Sequence, residues 1–301
     1  MIVSPLHNLD CPHNTFVALG TFDGLHLGHQ AVIRTATTHP NLIPSVLSVV
    51  PEKREEALLT DEQRHTLLEE LGIQQFIPAP LAEIRHLSPE AFFEEILMEK
   101  LHAKQIVCGF NFRFGKNAAG DTVVLQELCR NYGISLTVVD AITWDGQAVS
   151  SSRIRAALKE GNLTLATKLL GRPFCFEGTV IQGQRVGHTL GFPTINLPLP
   201  TGMIVPKRGV YAVTVTCGES TYQGVCNVGR HPTVGNLTAP LAETHILDFD
   251  GDLYGQSVRL ELIHFLRKEQ QFPGLEQLKA AIAADIKRTQ CLFQGEAHET
   301  V

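Results

Sequence analysis

The chain has 301 residues, 44% of them hydrophobic, with 31 acidic against 25 basic side chains and a formal net charge of −6. That length suits two separately cored domains, and the acidic balance speaks against a broad nucleic-acid footprint, which needs a basic face. Seven scattered cysteines without a CxxC fit reduced thiols in the cytoplasm rather than a disulfide framework; no signal peptide is expected at Met1-Ile2-Val3-Ser4-Pro5, and no apolar run nears the roughly 20 residues that span a bilayer.

The first half alternates strand and helix signals. Strands are expected at 15–20, 44–50, 73–77, 105–110 and 134–142. A helix over 61–71 has Thr60 as its cap, Gly72 as its stop and Leu67, Leu68 and Leu71 on one face. Ser88-Pro89 opens the next, with Phe92, Phe93, Ile96, Leu97 and Leu101 as its apolar face. A third starts at Asp121, buries Leu125 and Leu128, and stops near Gly133. Two short helices follow at about 150–160 and 163–170, stopped by Gly161 and Gly171. Such alternation implies an α/β doubly wound parallel sheet whose ligands bind at the carboxyl ends of its strands. Gly20, Pro51 and Gly109 lie just past such ends.

After Gly171-Arg172-Pro173 the period changes to two, as in 211–217 and 258–262, with further strands expected at 174–182, 222–228 and 244–249. This predicts a small antiparallel β-barrel closed by a helix over about 273–292, with Leu275, Leu278, Ile282 and Ile286 on its apolar face. The division into domains is expected at 1–171 and 172–301.

Five stretches carry chemistry. In Gly20-Thr21-Phe22-Asp23-Gly24-Leu25-His26-Leu27-Gly28-His29 a strand runs through a glycine-rich turn into a helix start. The free N–H groups of a first helical turn and the helix dipole favour an anion. The residues point to a nucleotide triphosphate, with His26 and His29 against its phosphates and Gly28 letting the ligand approach the backbone. HxxH with no nearby third and fourth ligand does not make a zinc site. The loop Gly109-Phe110-Asn111-Phe112-Arg113-Phe114-Gly115 offers Asn111 to a nucleotide or flavin head group, although alternating aromatics also build core walls. Ser150-Ser151-Ser152-Arg153-Ile154-Arg155 reads either as a second phosphate clamp or as a capped helix with a solvated basic turn. The glycine-rich run 183–191 leads into Pro193-Thr194-Ile195-Asn196, where Thr194 and Asn196 offer oxygens on one side of an extended segment; this reads either as a site for Mg²⁺, which takes few protein oxygens, or as a strand entry after a β-turn. Glu243, at the opening of a strand in Glu243-Thr244-His245-Ile246-Leu247-Asp248, reads either as a general base toward a hydroxyl or as a solvated carboxylate in a short acidic stretch.

In this order, GTFDGLHLGH, GFNFRFG, SSSRIR, LGFPTIN and ETHILDFDGDLYG, followed by FLRKEQQF at 265–272, resemble the bifunctional riboflavin kinase/FMN adenylyltransferase family, the prokaryotic FAD synthetases. The likeness covers about residues 15 to 288. It implies a carboxyl-terminal riboflavin kinase domain and an amino-terminal HxGH nucleotidyltransferase domain, with riboflavin, FMN and ATP as substrates and Mg²⁺ as cofactor. It also implies roles: Glu243 as base, Thr194 and Asn196 for the metal–nucleotide, and Gly183, Gly187 and Gly191 over the phosphates. Arg267 and Phe272 would lie at the flavin end. His26 and His29 would act as charge stabilisers, with Gly20, Phe22, Asp23, Gly28, Asn111, Ser151 and Arg155 around ATP or phosphate.

Two departures stand out. Val49-Val50-Pro51-Glu52-Lys53 replaces the family's Phe-x-Pro-His-Pro, and the loop to Leu58-Leu59-Thr60 is short. Ile195 and His188 replace a small residue and an Arg. The first departure motivates an alternative, a kinase whose adenylyltransferase is weak or lost. A flavin-binding protein without catalysis is disfavoured, because storage needs neither the histidines nor Glu243. An enzyme acting on tRNA is disfavoured by the acidic balance. The sequence names no protein partner and is compatible with a homo-oligomer.

Overall fold

The structure, a computed structural model, describes residues 1–9, 11–53, 55–183, 191–230 and 240–299. Gly187 and His188 therefore lie outside the described residues. The chain divides into two compact units, 1–151 and 152–301.

In the first unit six strands form one parallel sheet: β1 (Ile2–Val3), β2 (Thr15–Gly20), β3 (Ile43–Val50), β4 (Gln75–Pro80), β5 (Ala103–Gly109) and β6 (Ser135–Val139). Their spatial order is β1-β4-β3-β2-β5-β6. Successive side chains of a strand point to opposite faces. On β2 this sends Val17 and Leu19 into one core and Phe16 and Ala18 into another. The first core is closed by Phe92, Phe93, Ile96, Leu97, Leu125 and Cys129, the second by Val32, Ile33, Ala36 and Leu68. The sheet is thus covered on both faces, as a parallel sheet requires.

The helices are α1 (Leu27–Ala36), α2 (Asp61–Glu70), α3 (Leu81–Ile84), α4 (Pro89–Ala91), α5 (Thr122–Asn131), α6 (Ser151–Glu160) and α7 (Leu163–Leu170). Their local signals act as expected. Thr60 and Gln63 form a reciprocal capping box, Ser88 caps α4 with Pro89 in its first turn, and the Asp121 carboxylate accepts from the N–H groups of Val123 and Val124. Gly171 ends α7 at φ +75°, a left-handed position that penalises any Cβ. After Ala91 the chain continues as a wider π-wound segment over Phe92–Lys100, closed by the Leu101 N–H to the Ile96 carbonyl. Leu128 is half-buried rather than buried; Cys129 takes the core position beside Leu125. A two-stranded hairpin, β7 (Thr143–Trp144) and β8 (Gln147–Ala148), was not expected.

The strand order reverses at β2. Strands β3 and β4 lie on one side of it, β5 and β6 on the other. Outside the carboxyl ends of β2 and β5 such a reversal opens a crevice, and Gly20 and Gly109 are the last residues of those two strands.

The second unit contains α6 from Ser152 onward, α7 and an antiparallel sheet of β9 (Phe174–Thr179), β10 (Ile195–Pro198), β11 (Gly209–Cys217), β12 (Ser220–Arg230), β13 (Pro240–Ile246) and β14 (Ser257–Arg267). The order is β10-β13-β12-β11-β14-β9, and a bridge between Ile181 and Asn196 nearly closes it into a barrel. Tyr211, Val213, Val215, Cys226, Val228, Leu260 and Leu262 are fully buried. Helix α8 (Leu275–Glu299) lays Ile286, Leu292 and Phe293 on Val210, Ala212, Val225 and Leu266.

Two expectations are corrected here. Leu275 is 61% exposed, because it opens α8 ahead of the turns that pack on the barrel. Further along the helix the polar Asp285 and Thr289 are buried instead. Strand β13 begins at Pro240, not near residue 243, because residues 240–242 pair with β12 and 241–242 with β10. Glu243 therefore sits in mid-strand. No helix among the described residues is long and apolar enough to cross a membrane.

Candidate functional sites

In the first unit the turn after β2 is bent hard. Phe22 and Leu25 hold φ of +47° and +42°. For non-glycine residues this costs on the order of 1–3 kcal/mol each and persists only when neighbours over-determine it. Four bonds do so. Ser48 Oγ donates to the Thr21 carbonyl at 2.9 Å, and Gln30 Nε2 to the Leu25 carbonyl at 2.9 Å. Ser151 Oγ donates to the Asp23 carbonyl at 2.8 Å, and the Leu58 N–H donates to Asp23 Oδ1 at 3.0 Å. The Ser151 hydroxyl proton is thus committed to the turn, and the short segment after β3 is tied to the same residue.

Gly20 and Gly28 are required for space. A Cβ on Gly20 would stand 2.9 Å from the Phe22 ring, and one on Gly28 would stand 3.3 Å from the His26 ring. His26 caps α1, its Nδ1 accepting from the His29 N–H at 3.3 Å. An accepting Nδ1 leaves the neutral ring its proton on Nε2. The His29 ring stacks on His26 with centroids 3.6 Å apart, and its other side meets Phe22 edge-on at 5.3 Å. Burial, and secondarily His26, hold the His29 pKa well below 6.5, so the ring is neutral at pH 7. Its Nδ1 is buried and has no hydrogen-bond partner among the described residues. Two stacked imidazoles, His29 of them neutral, thus form a polar lip at the start of α1.

Phe22 itself is 1% exposed and lies beneath this lip. Asn111 folds back over the end of β5: a Cβ on Gly109 would lie 3.5 Å from Asn111 Oδ1. Phe110 is exposed, Phe112 half-buried and Phe114 buried, so only the last two build core wall. Arg155 stands one turn along α6 from Ser151. In the altered segment Glu52 pairs with Arg85 at 2.6 Å, both exposed.

In the second unit, register assembles the site. Asn196, Glu243, Asn227, Val210 and Arg267 are successive partners across β10, β13, β12, β11 and β14. Directly opposed residues share a face, so Asn196, Glu243 and Asn227 stand side by side. Thr194 Oγ1 donates to Glu243 Oε1 at 2.9 Å, and His245 Nδ1 lies 2.8 Å from the Pro193 carbonyl, fixing the turn before it. A Cβ on Gly183 would lie 2.2 Å from Asn196 Nδ2, so this glycine leaves the cradle in which the amide rests. A hydroxyl, an amide oxygen and a carboxylate form the hard oxygen set that suits Mg²⁺. Gly191 lies three residues before Thr194 at φ +86°.

Arg267 Nη2 meets Asp285 Oδ2 at 2.8 Å, and its guanidinium lies 5.5 Å from the Phe272 ring centre. Asn227, Asp285, Leu58, Ser48 and Gln30 were not found by sequence reasoning. Strand register identifies the first and tertiary contact the rest. Burial pushes the thiols of Cys108 and Cys226 up to about 12, which removes them as nucleophiles at neutral pH.

Comparison with known proteins matches residues 9–153 to the FAD synthetase family and residues 170–293 to the riboflavin kinase family. A protein of Escherichia coli K12 named bifunctional riboflavin kinase/FMN adenylyltransferase is 34% identical, over 94% of this chain and 95% of its own. One of the same name from Pseudomonas fluorescens is 35% identical, over 99% of each. A crystal structure titled macrolide-efflux protein, from Streptococcus pneumoniae, superposes with a TM-score of 0.86 at 28% identity, covering 96% of this chain and 99% of that one.

Proposed function

From the premise that this chain belongs to the bifunctional riboflavin kinase/FMN adenylyltransferase family, we propose how its residues divide the two transfers. It is an enzyme that phosphorylates riboflavin to FMN and adenylylates FMN to FAD. We assign adenylylation to residues 1–171 and the kinase to 172–301.

In the kinase, Glu243 accepts the proton of the ribityl hydroxyl as its oxygen attacks the γ-phosphorus of ATP and the bond to the β-phosphate oxygen breaks, leaving ADP. Thr194 orients that carboxylate. Thr194 and Asn196 would hold Mg²⁺, which when bound neutralises phosphate charge. Gly183, Gly187 and Gly191 flank the phosphates, while Arg267 and Phe272 border the flavin. Positioning dominates such a transfer, because little covalent chemistry falls to the protein.

In the adenylyltransferase, an FMN phosphate oxygen attacks the α-phosphorus of ATP and pyrophosphate leaves. The attacking group is already ionised and needs no base. His26 and His29 donate to the triphosphate as charge develops, and Asp23 and Phe22 hold the turn that carries them. Gly20 and Gly28 admit the phosphates, with Asn111, Ser151 and Arg155 as further contacts. None of the seven cysteines is in a disulfide, which fits a cytoplasmic enzyme. Macrolide efflux, named in the pneumococcal title, finds no counterpart in these ATP-directed residues.

The observation that best supports the reading is the 2.9 Å Thr194–Glu243 hydrogen bond, which orients a carboxylate beside a second oxygen donor. The test is a time course of riboflavin with ATP and Mg²⁺, followed by chromatography. FMN should rise first and FAD follow. FMN that accumulates with no FAD would leave only the kinase, and no turnover at all would leave a flavin-binding protein.

A further inference from the structure

Asp285 is a carboxylate on the barrel-facing side of α8, with a side chain only 9% exposed. It takes Arg267 through three contacts: Nε to Oδ1 at 3.1 Å, Nε to Oδ2 at 3.0 Å and Nη2 to Oδ2 at 2.8 Å. Arg267 Nη1 donates to the Lys268 carbonyl at 3.3 Å. The guanidinium is therefore fixed in plane and direction, and the Phe272 ring lies over it. Two residues further along the chain, Glu269 Oε1 accepts from Asn227 Nδ2 at 3.4 Å and lies 2.0 Å from where a Cβ on Gly229 would stand. The segment from Arg267 to Phe272 is thus held at two points, by α8 through Arg267 and by β12 through Glu269.

A buried ion pair is a poor source of stability, because desolvation offsets its attraction and an apolar pair of equal volume often does as well. What a bidentate pair gives is geometry. Arg267 ends the transverse row that also contains Glu243 and Asn196, so fixing the guanidinium fixes one end of the kinase site relative to its base.

We infer that Asp285 is a positioning residue of the kinase, holding Arg267, and through it Phe272, in the orientation that receives the flavin. The inference rests on the proposed placement of Arg267 and Phe272 at the flavin end.

The experiment is steady-state kinase kinetics on the full chain, with riboflavin and ATP varied separately, for Asp285→Asn, Arg267→Ala and the double variant. Asp285→Asn should raise the riboflavin KM about tenfold while the ATP KM and FMN adenylylation stay within about twofold. Arg267→Ala should raise the riboflavin KM at least as much, and the double variant should match Arg267→Ala within about twofold, since Asp285 acts through that side chain. If Arg267→Ala leaves the riboflavin KM unchanged, the flavin-end placement fails and the inference with it. If Arg267→Ala raises it but Asp285→Asn does not, the inference alone fails. A full additional factor in the double variant also overturns it. Should Asp285→Asn not fold, Asp285→Glu keeps the charge and shifts it by one methylene; a riboflavin KM raised about threefold supports the inference, and an unchanged one refutes it.

Discussion

The Thr194 hydroxyl donates to Glu243 Oε1 over 2.9 Å, joining the turn before β10 to the middle of β13. A base needs geometry before it needs a suitable pKa, and this bond supplies it. Glu243→Gln keeps the shape and removes the proton acceptor. It should lower kinase turnover by about 10²–10⁴ and leave FMN adenylylation intact. Thr194→Val should cost about tenfold in kinase turnover through lost orientation. Separate assays of ADP formed from riboflavin and of FAD formed from FMN check both variants; equal loss of the two activities would contradict independent sites.

Gly183 is a spacer for Asn196. A methyl group there would stand 2.2 Å from Asn196 Nδ2, far inside van der Waals contact, so Gly183→Ala must expel the amide from its place beside Glu243. Kinase turnover should fall at least tenfold, since a misplacement of about 1 Å can cost about 10²-fold, and magnesium titration of the kinase rate should shift to higher concentration. FAD synthesis from added FMN should not change.

What the sequence disclosed was chiefly local. Thr60, Ser88, Asp121 and Gly171 act within a few residues of themselves, and the structure uses them as helix punctuation. The turn at Gly20–His29 was legible for the same reason. Non-local pairing hid the rest. The β10 strand and the first residues of β13 pair with each other across more than forty positions, and nothing in either stretch alternates strongly enough to announce it. Asn227 became visible only as the partner of Glu243. On α8 the apolar period pointed to Leu275, which is exposed, and passed over Asp285, which is buried because Arg267 comes to meet it.

Asp23 is tied twice, its carbonyl to Ser151 and its carboxylate to the Leu58 N–H. The second tie holds the short segment after β3 at Leu58, beyond the altered Val49–Lys53 stretch. Asp23→Ala would free that segment, leaving the Leu58 N–H without its acceptor at a cost of about 1–3 kcal/mol. Asp23→Asn keeps an accepting oxygen and should retain most of the anchoring. The expected result is a several-fold rise in the ATP KM of adenylylation for the alanine variant, a smaller rise for asparagine, and normal kinase kinetics in both. If the two variants behave alike, the carboxylate acts on ligand rather than on the segment.

His29 titrates in a direction that stability can report. Burial, then the neighbouring His26 ring, hold its pKa well below 6.5 in the folded chain. In the unfolded chain the ring takes its proton near pH 6.5. Below that pH the unfolded state binds a proton that the folded state refuses, so stability falls as pH falls, by up to about 1.4 kcal/mol per pH unit until the folded pKa is reached. Above pH 6.5 the contribution is fully present. The chain has one tryptophan, Trp144, in the first unit, so its fluorescence during urea unfolding follows the unit that holds His29. Between pH 7 and 5 the wild type should lose stability more steeply than His29→Asn, which also lacks the ring that serves adenylylation. Parallel slopes for the two proteins would mean that the folded His29 accepts a proton as readily as the unfolded one, and the neutral imidazole assigned to the triphosphate would have to be given up.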